Sequence, residues 1–138
     1  MKLKLFAPVV LRIGLSLVFI WFGSQQLLNT KMWVGLIPQS VISISHLSAT
    51  TLVHFNGAFE IVFGLALLIG ISTRVVAFLL ALHIIDIMFV VGYGPTGVRD
   101  FGLSFATVAV FLNGADFFTI DRFLASKRST TPNQAIVQ

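Results

Sequence analysis

The sequence predicts an all-α protein, an integral membrane four-helix antiparallel bundle with an interfacial loop between its first and second spans. Three observations predict it. Hydrophobic residues make up 57% of the chain and charged residues 10%, and the mean hydropathy of +0.97 lies beyond the range of soluble domains. Four apolar runs each approach the roughly 20 residues that carry a helix across about 30 Å of hydrocarbon. Breaks rich in Gly, Pro or Ser separate those runs. The 138 residues then divide into a four-transmembrane-helix domain over 1–125 and a polar cytoplasmic tail over 126–138, with no length left for a second domain.

Composition also narrows the chemistry. Cysteine is absent, which excludes disulfides, thiolate metal sites and dithiol relays within the chain. The net charge of +4 comes from Lys and Arg at helix ends, where it sets topology and meets lipid headgroups. No basic stripe is present for a nucleic acid to follow, so membrane lipids are the expected contact and nucleic acid is not.

The first span is expected from about Leu5 to Leu28, with Pro8 in its opening turn, where the missing N–H costs nothing. Met1-Lys2-Leu3-Lys4 resembles the start of a signal peptide. Arg12 interrupts the apolar segment, however, and no small-residue cleavage site follows, so a retained helix is expected. Arg12 sits about 10 Å below the surface at 1.5 Å per residue. It either snorkels to the headgroups or pairs with an acid on a neighbouring helix, and the second reading is favoured. Gly14 and Gly23 would let another helix approach closely.

From Asn29 to Ala49 the apolar run is broken by Lys31, Trp33, Pro38, Gln39, three serines and His46. A segment of this composition belongs at the interface, with a short amphipathic helix from Gln39 to Leu47. It reads as a packed cap over the helix ends, or as a lid over a lipid-soluble ligand. The second span, about Thr50 to Ile69, carries His54, Asn56 and Glu60. Asn56 and Glu60 share a face at a spacing of four, whereas His54 is turned away. Gly57 and Gly64 mark a close-packed seam.

Ser72-Thr73-Arg74 forms a turn, so the third span, Val75 to about Val91, runs antiparallel to the second. Its His83 and Asp86 face one way, the arrangement of an oriented imidazole or of a polar clasp between helices. Gly92-Tyr93-Gly94-Pro95-Thr96-Gly97 is a second turn. Asp100 then fits the start of the fourth span as a cap, and that span is expected from about Phe101 to Phe118. With both termini cytoplasmic, that side holds Lys2, Lys4, Arg74, Arg122, Lys127 and Arg128, against Lys31 and Arg99 outside.

The same rise per residue places Arg12, Glu60, His83, Asp86 and Asn113 at similar heights, roughly 10–16 Å from the cytoplasmic surface. They form one buried polar network, in which Arg12 with Glu60 is the strongest expected contact. His54 and His83 lie about 12 Å apart in depth on that ruler, which argues against a bis-His haem. One imidazole with two carboxylates is an unspecific set, and no metal is assigned to it.

Three stretches carry a resemblance: Arg12-Ile13-Gly14 with Gly23; Glu60 through the Gly70-Ile71-Ser72-Thr73-Arg74 turn with Ala77; and Asn113-Gly114-Ala115-Asp116 to Asp121-Arg122. Together, over residues 5 to about 124, they resemble the DoxX family of small four-helix membrane proteins. The resemblance implies a bacterial or archaeal inner-membrane protein from a group linked to quinone-dependent oxidation, which includes a subunit of thiosulfate:quinone oxidoreductase and members of membrane oxidoreductase assemblies in thiol stress. It also matches the family's Arg and Glu to Arg12 and Glu60. The expected function is a membrane subunit of a quinone-linked oxidoreductase or respiratory complex, with Glu60, His83 and Asp86 as the quinone or proton site. Other complex subunits or further copies of the chain would be its partners, and no cofactor is held covalently. Two alternatives stay open: an assembly subunit without catalysis, and a small transporter or proton path.

Overall fold

The protein is described here by a computed structural model, over residues 3–129. Among the described residues there are seven helices and no strands: α1 (Leu3–Leu28), α2 (Thr30–Val34), α3 (Gln39–Ser45), α4 (Ala49–Ile69), α5 (Thr73–Val91), α6 (Pro95–Asn113) and α7 (Ile120–Ser129). Three of them, α1, α4 and α5, are long and apolar enough to cross a membrane. The fourth expected run is divided: α6 carries Arg99 and Asp100 in its first half and stops at Asn113, and a separate α7 follows.

α1 packs mainly on α4, and α5 mainly on α6, with smaller α1–α6 and α4–α5 contacts. The α1–α4 seam rests on two glycines that face each other. A Cβ on Gly23 would lie 2.6 Å from the Gly57 carbonyl oxygen, and one on Gly57 would lie 2.8 Å from that of Gly23. Only residues without side chains allow this approach. Gly64 continues the seam against Phe19 and Ile20, but Gly14 meets nothing and plays no part in it. The apolar core, Leu15, Phe19, Leu67, Ala77, Leu80, Ile84 and Val110, joins the four long helices. Many large apolar side chains outside it are exposed, as expected of surfaces that face acyl chains.

Several expected boundaries move. α1 starts two residues earlier than expected, which puts Pro8 inside it rather than in its first turn. The helix expected from Gln39 to Leu47 is present as α3 and ends when His46 turns left-handed (φ 56°); α2 before it was not foreseen. α6 begins at Pro95 rather than near Phe101, because Pro at the first helical position is pre-set for a helix. Asp100 is therefore the sixth residue of a helix, not its cap. Of the tail assigned to 126–138, residues 126–129 continue α7 and 130–138 lie outside the described residues.

Gly57→Leu is expected to force the α1–α4 seam apart at a cost of about 1–3 kcal/mol. A lower melting temperature in detergent measures this, with Gly14→Leu as the control that leaves it unchanged.

Candidate functional site

The expected polar belt divides into two centres at different heights. The first surrounds Arg12, which is only 1% exposed. Its Nε donates to Asp116 Oδ2 at 2.6 Å and its Nη2 to Asp116 Oδ1 at 3.4 Å. Nη1 donates to the carbonyls of Leu67 and Leu68, and Nη2 to that of Phe118. Leu67 and Leu68 lie in the last turn of α4, where carbonyls lack intrahelical partners and carry the negative end of the helix dipole. The predicted contact of Arg12 with Glu60 is thus not made; Asp116 takes that place.

Helix register explains the difference. α1 and α4 run in opposite directions, since Gly23 faces Gly57 and Glu60 while Arg12 reaches Leu67. Arg12 is eleven residues from Gly23, about 16 Å at 1.5 Å per residue, so its backbone stands far from the level of Glu60. Asp116 was hidden because the fourth helix was expected to continue through it. The Asn113-Gly114 pair was the available signal for a turn, and Gly114 indeed has φ 72°. Asn113 itself is exposed and donates to the Gly114 carbonyl at 3.2 Å, outside any buried network.

The start of α7 also ties down the start of α5. Asp121 accepts from the N–H groups of Ser72 (2.7 Å) and Thr73 (2.6 Å) and from the Thr73 hydroxyl (2.8 Å). It caps a helix distant in sequence. Burial pushes its carboxyl upward, but the hydrogen bonds from Thr73 and Ser72 outweigh this and hold it below the ordinary value.

The second centre is built on Glu60, 3% exposed. Gln26 Nε2 donates to Glu60 Oε2 at 2.9 Å, and Asn56 Nδ2 donates both to Gln26 Oε1 (2.7 Å) and to Glu60 Oε1 (3.4 Å). Asn56 was expected on this face; Gln26 was missed, since near the end of its span it reads as an interfacial residue. His83 Nε2 stands 3.7 Å from Glu60 Oε1, and its ring lies 4.4 Å from that of Phe59. His83 thus turns toward Glu60 rather than toward Asp86. His54 is elsewhere, bonded to Thr30 at 2.9 Å on the surface.

Glu60, His83 and Asp86 line one cavity of about 290 Å³, with Asp86 at an exposed position. Phe22, Phe55 and Ile87 contribute to its walls, as do Trp33, Leu36 and Val41 from the α2–α3 segment. The segment expected at the interface therefore forms part of the cavity lining. Arg99 and Asp100 complete the lining. Arg99 stacks on Phe22 at 4.2 Å and pairs with Asp100 at 2.6 Å. Two buried polar atoms on lining residues have no hydrogen-bond partner: His83 Nε2 and Asp100 Oδ2. Among the described residues, no group of three or more His, Asp or Glu is placed to hold a metal ion.

The profile of the DoxX family matches residues 7–93. The chain belongs to the DoxX family. The match takes in α1 to α5, with Arg12 and all of the Glu60 centre, and stops short of Arg99, Asp100, Asp116 and Asp121. No curated protein and no solved structure matches the chain.

Two outcomes follow for the first centre. Asp116→Ala strands a buried guanidinium and is expected to destabilise the protein by about 3–5 kcal/mol, measured by thermal unfolding in detergent beside the milder double variant with Arg12→Leu. Asp121 has a folded pKa below its unfolded value of about 3.9. Its contribution is therefore full above that value and is lost as pH falls through the folded one. The melting-temperature gap between the native protein and Asp121→Asn should be widest near pH 6 and close on acidification toward pH 2.

Proposed function

We propose that this DoxX protein is a membrane subunit of a quinone-linked oxidoreductase system, and that the cavity beneath α2 and α3 receives the quinone ring. The observation that carries the reading is the unpartnered His83 Nε2 beside Glu60 in a cavity with apolar and aromatic walls and a few polar side chains. Binding sites for small molecules combine apolar walls with a few convergent polar groups in this way. A flat ring with an oxygen substituent fits that combination: apolar faces for Phe22 and Phe55, and an acceptor for an imidazole N–H. A quinone, when bound, takes up two electrons together with two protons on its ring oxygens.

The residues of this chain would serve the protons. His83 would hold one at Nε2, oriented by the ring of Phe59. Glu60, kept in place by Gln26 and Asn56, would share it across the short gap to the imidazole and offer a reserve carboxylate. Asp86, at the exposed end of the lining, would link this pair to solvent. The chain has no cysteine and so no dithiol or Fe–S group of its own, and in this reading the electrons come from a partner subunit.

The same reading makes α6 a fourth span, completing an antiparallel four-helix bundle in a bacterial or archaeal inner membrane. Both termini lie on the cytoplasmic side. The Arg12 centre then lies near the cytoplasmic face and the cavity toward the opposite one, covered by α2 and α3.

Purified protein titrated with a short-chain benzoquinone is expected to bind it, with quenching of Trp33. Glu60→Gln and His83→Ala should each weaken binding about tenfold or more while leaving the melting curve cooperative. A chain that binds no ring compound would instead be an assembly subunit.

A further inference from the structure

Asp100 has no role in the account above, yet it is one of the most buried side chains of the molecule, at 0% exposure. Its Oδ1 accepts from both Nε and Nη2 of Arg99, each at 2.6 Å. The guanidinium is fixed in turn over the face of Phe22, a favourable seat for a delocalised cation. The arrangement saturates one carboxylate oxygen and leaves Oδ2 buried without a donor, on a residue that lines the same cavity as His83. A buried acceptor left unsatisfied costs about 1–3 kcal/mol. Asp100 lies about 8 Å and His83 about 12 Å from the α5–α6 turn, at 1.5 Å per residue. The two residues that carry the unpartnered atoms therefore start from neighbouring backbone levels on the lining of one cavity.

A carboxylate paired with a guanidinium offers only acceptor capacity. A ring carbonyl brought against it would set two acceptors together, whereas a ring hydroxyl would donate to it. We infer that Asp100 is a second ligand contact, held in position by Arg99, through which the cavity favours a dihydroxy aromatic ring over the corresponding dione. This rests on the cavity being a ring site, as proposed above. It extends the site beyond the family match, which ends at residue 93, and places a determinant of ligand form on α6. His83 can take either hydrogen-bonding role and does not discriminate; Asp100 does.

Isothermal titration calorimetry of the purified full-length protein in detergent tests it. A short-chain benzoquinone and, under anaerobic reducing conditions, its hydroquinone are the two probes. The native protein is expected to bind the hydroquinone about tenfold more tightly, the worth of one hydrogen bond to a charged acceptor. Asp100→Asn keeps an oxygen for Arg99 and turns the unpartnered acceptor into a donor, so the preference should reverse toward the dione. Equal affinities, or a preference for the dione, in the native protein would overturn the inference even if Asp100→Asn fails to fold. A folded Asp100→Asn protein with the native ratio would overturn it as well. Failure of both probes to bind would instead defeat the ring site itself, and the role of Asp100 with it.

Discussion

A guanidinium inside an apolar helix has to find its counter-charge within the protein, because acyl chains offer none. Arg12 meets that demand with Asp116 and with carbonyls at the end of α4, and the lower half of the molecule follows from it. The segment bearing Asp116 has to leave the helical path after Asn113 and lie across the end of α4. Once there, it carries Asp121 to the first amides of α5. One ion pair thereby links the end of α4, the start of α5 and the turn after α6.

The two polar centres are finished to different degrees, and the difference separates structure from function. Around Arg12 each guanidinium nitrogen has an acceptor, as a strut in low dielectric requires. Around Glu60 the carboxylate is well held by Gln26 and Asn56, but the imidazole beside it has a nitrogen left over, and so does one oxygen of Asp100 across the same space. Incomplete satisfaction is costly in a buried setting. Among the described residues it is confined to the lining of one cavity, which supports the proposed ligand site there, whereas every guanidinium nitrogen of Arg12 is already engaged.

Much of this was legible in the sequence. Hydropathy and turn residues gave the helices that cross the membrane, and glycine spacing gave the seam at Gly57 and Gly64. The spacing of four between Asn56 and Glu60 gave half of the polar site. What escaped depended on helix register or on a short interruption. Depth counted from each span's own end put Arg12 and Glu60 at one level, although α1 is offset along α4 so that Glu60 stands beside Gly23 and Arg12 beside Leu67. Asp116 and Asp100 were misread for a shared reason: a helix boundary displaced by a few residues turns a cap into a buried lining residue, or a helical residue into a turn acid. Gln26 gave no pattern of its own, because a glutamine near a span end is ordinary until a carboxylate is found opposite it.

The partner of Arg12 lies 104 positions further along the chain. In a protein made and inserted from its N-terminus, the first helix therefore reaches the bilayer long before the residue that neutralises it has been synthesised. Until then the guanidinium of Arg12 has to stay hydrated, by snorkelling to the headgroups from a helix that is apolar enough to insert. Burial of that charge is thus a late step of biogenesis, completed when the turn after α6 arrives.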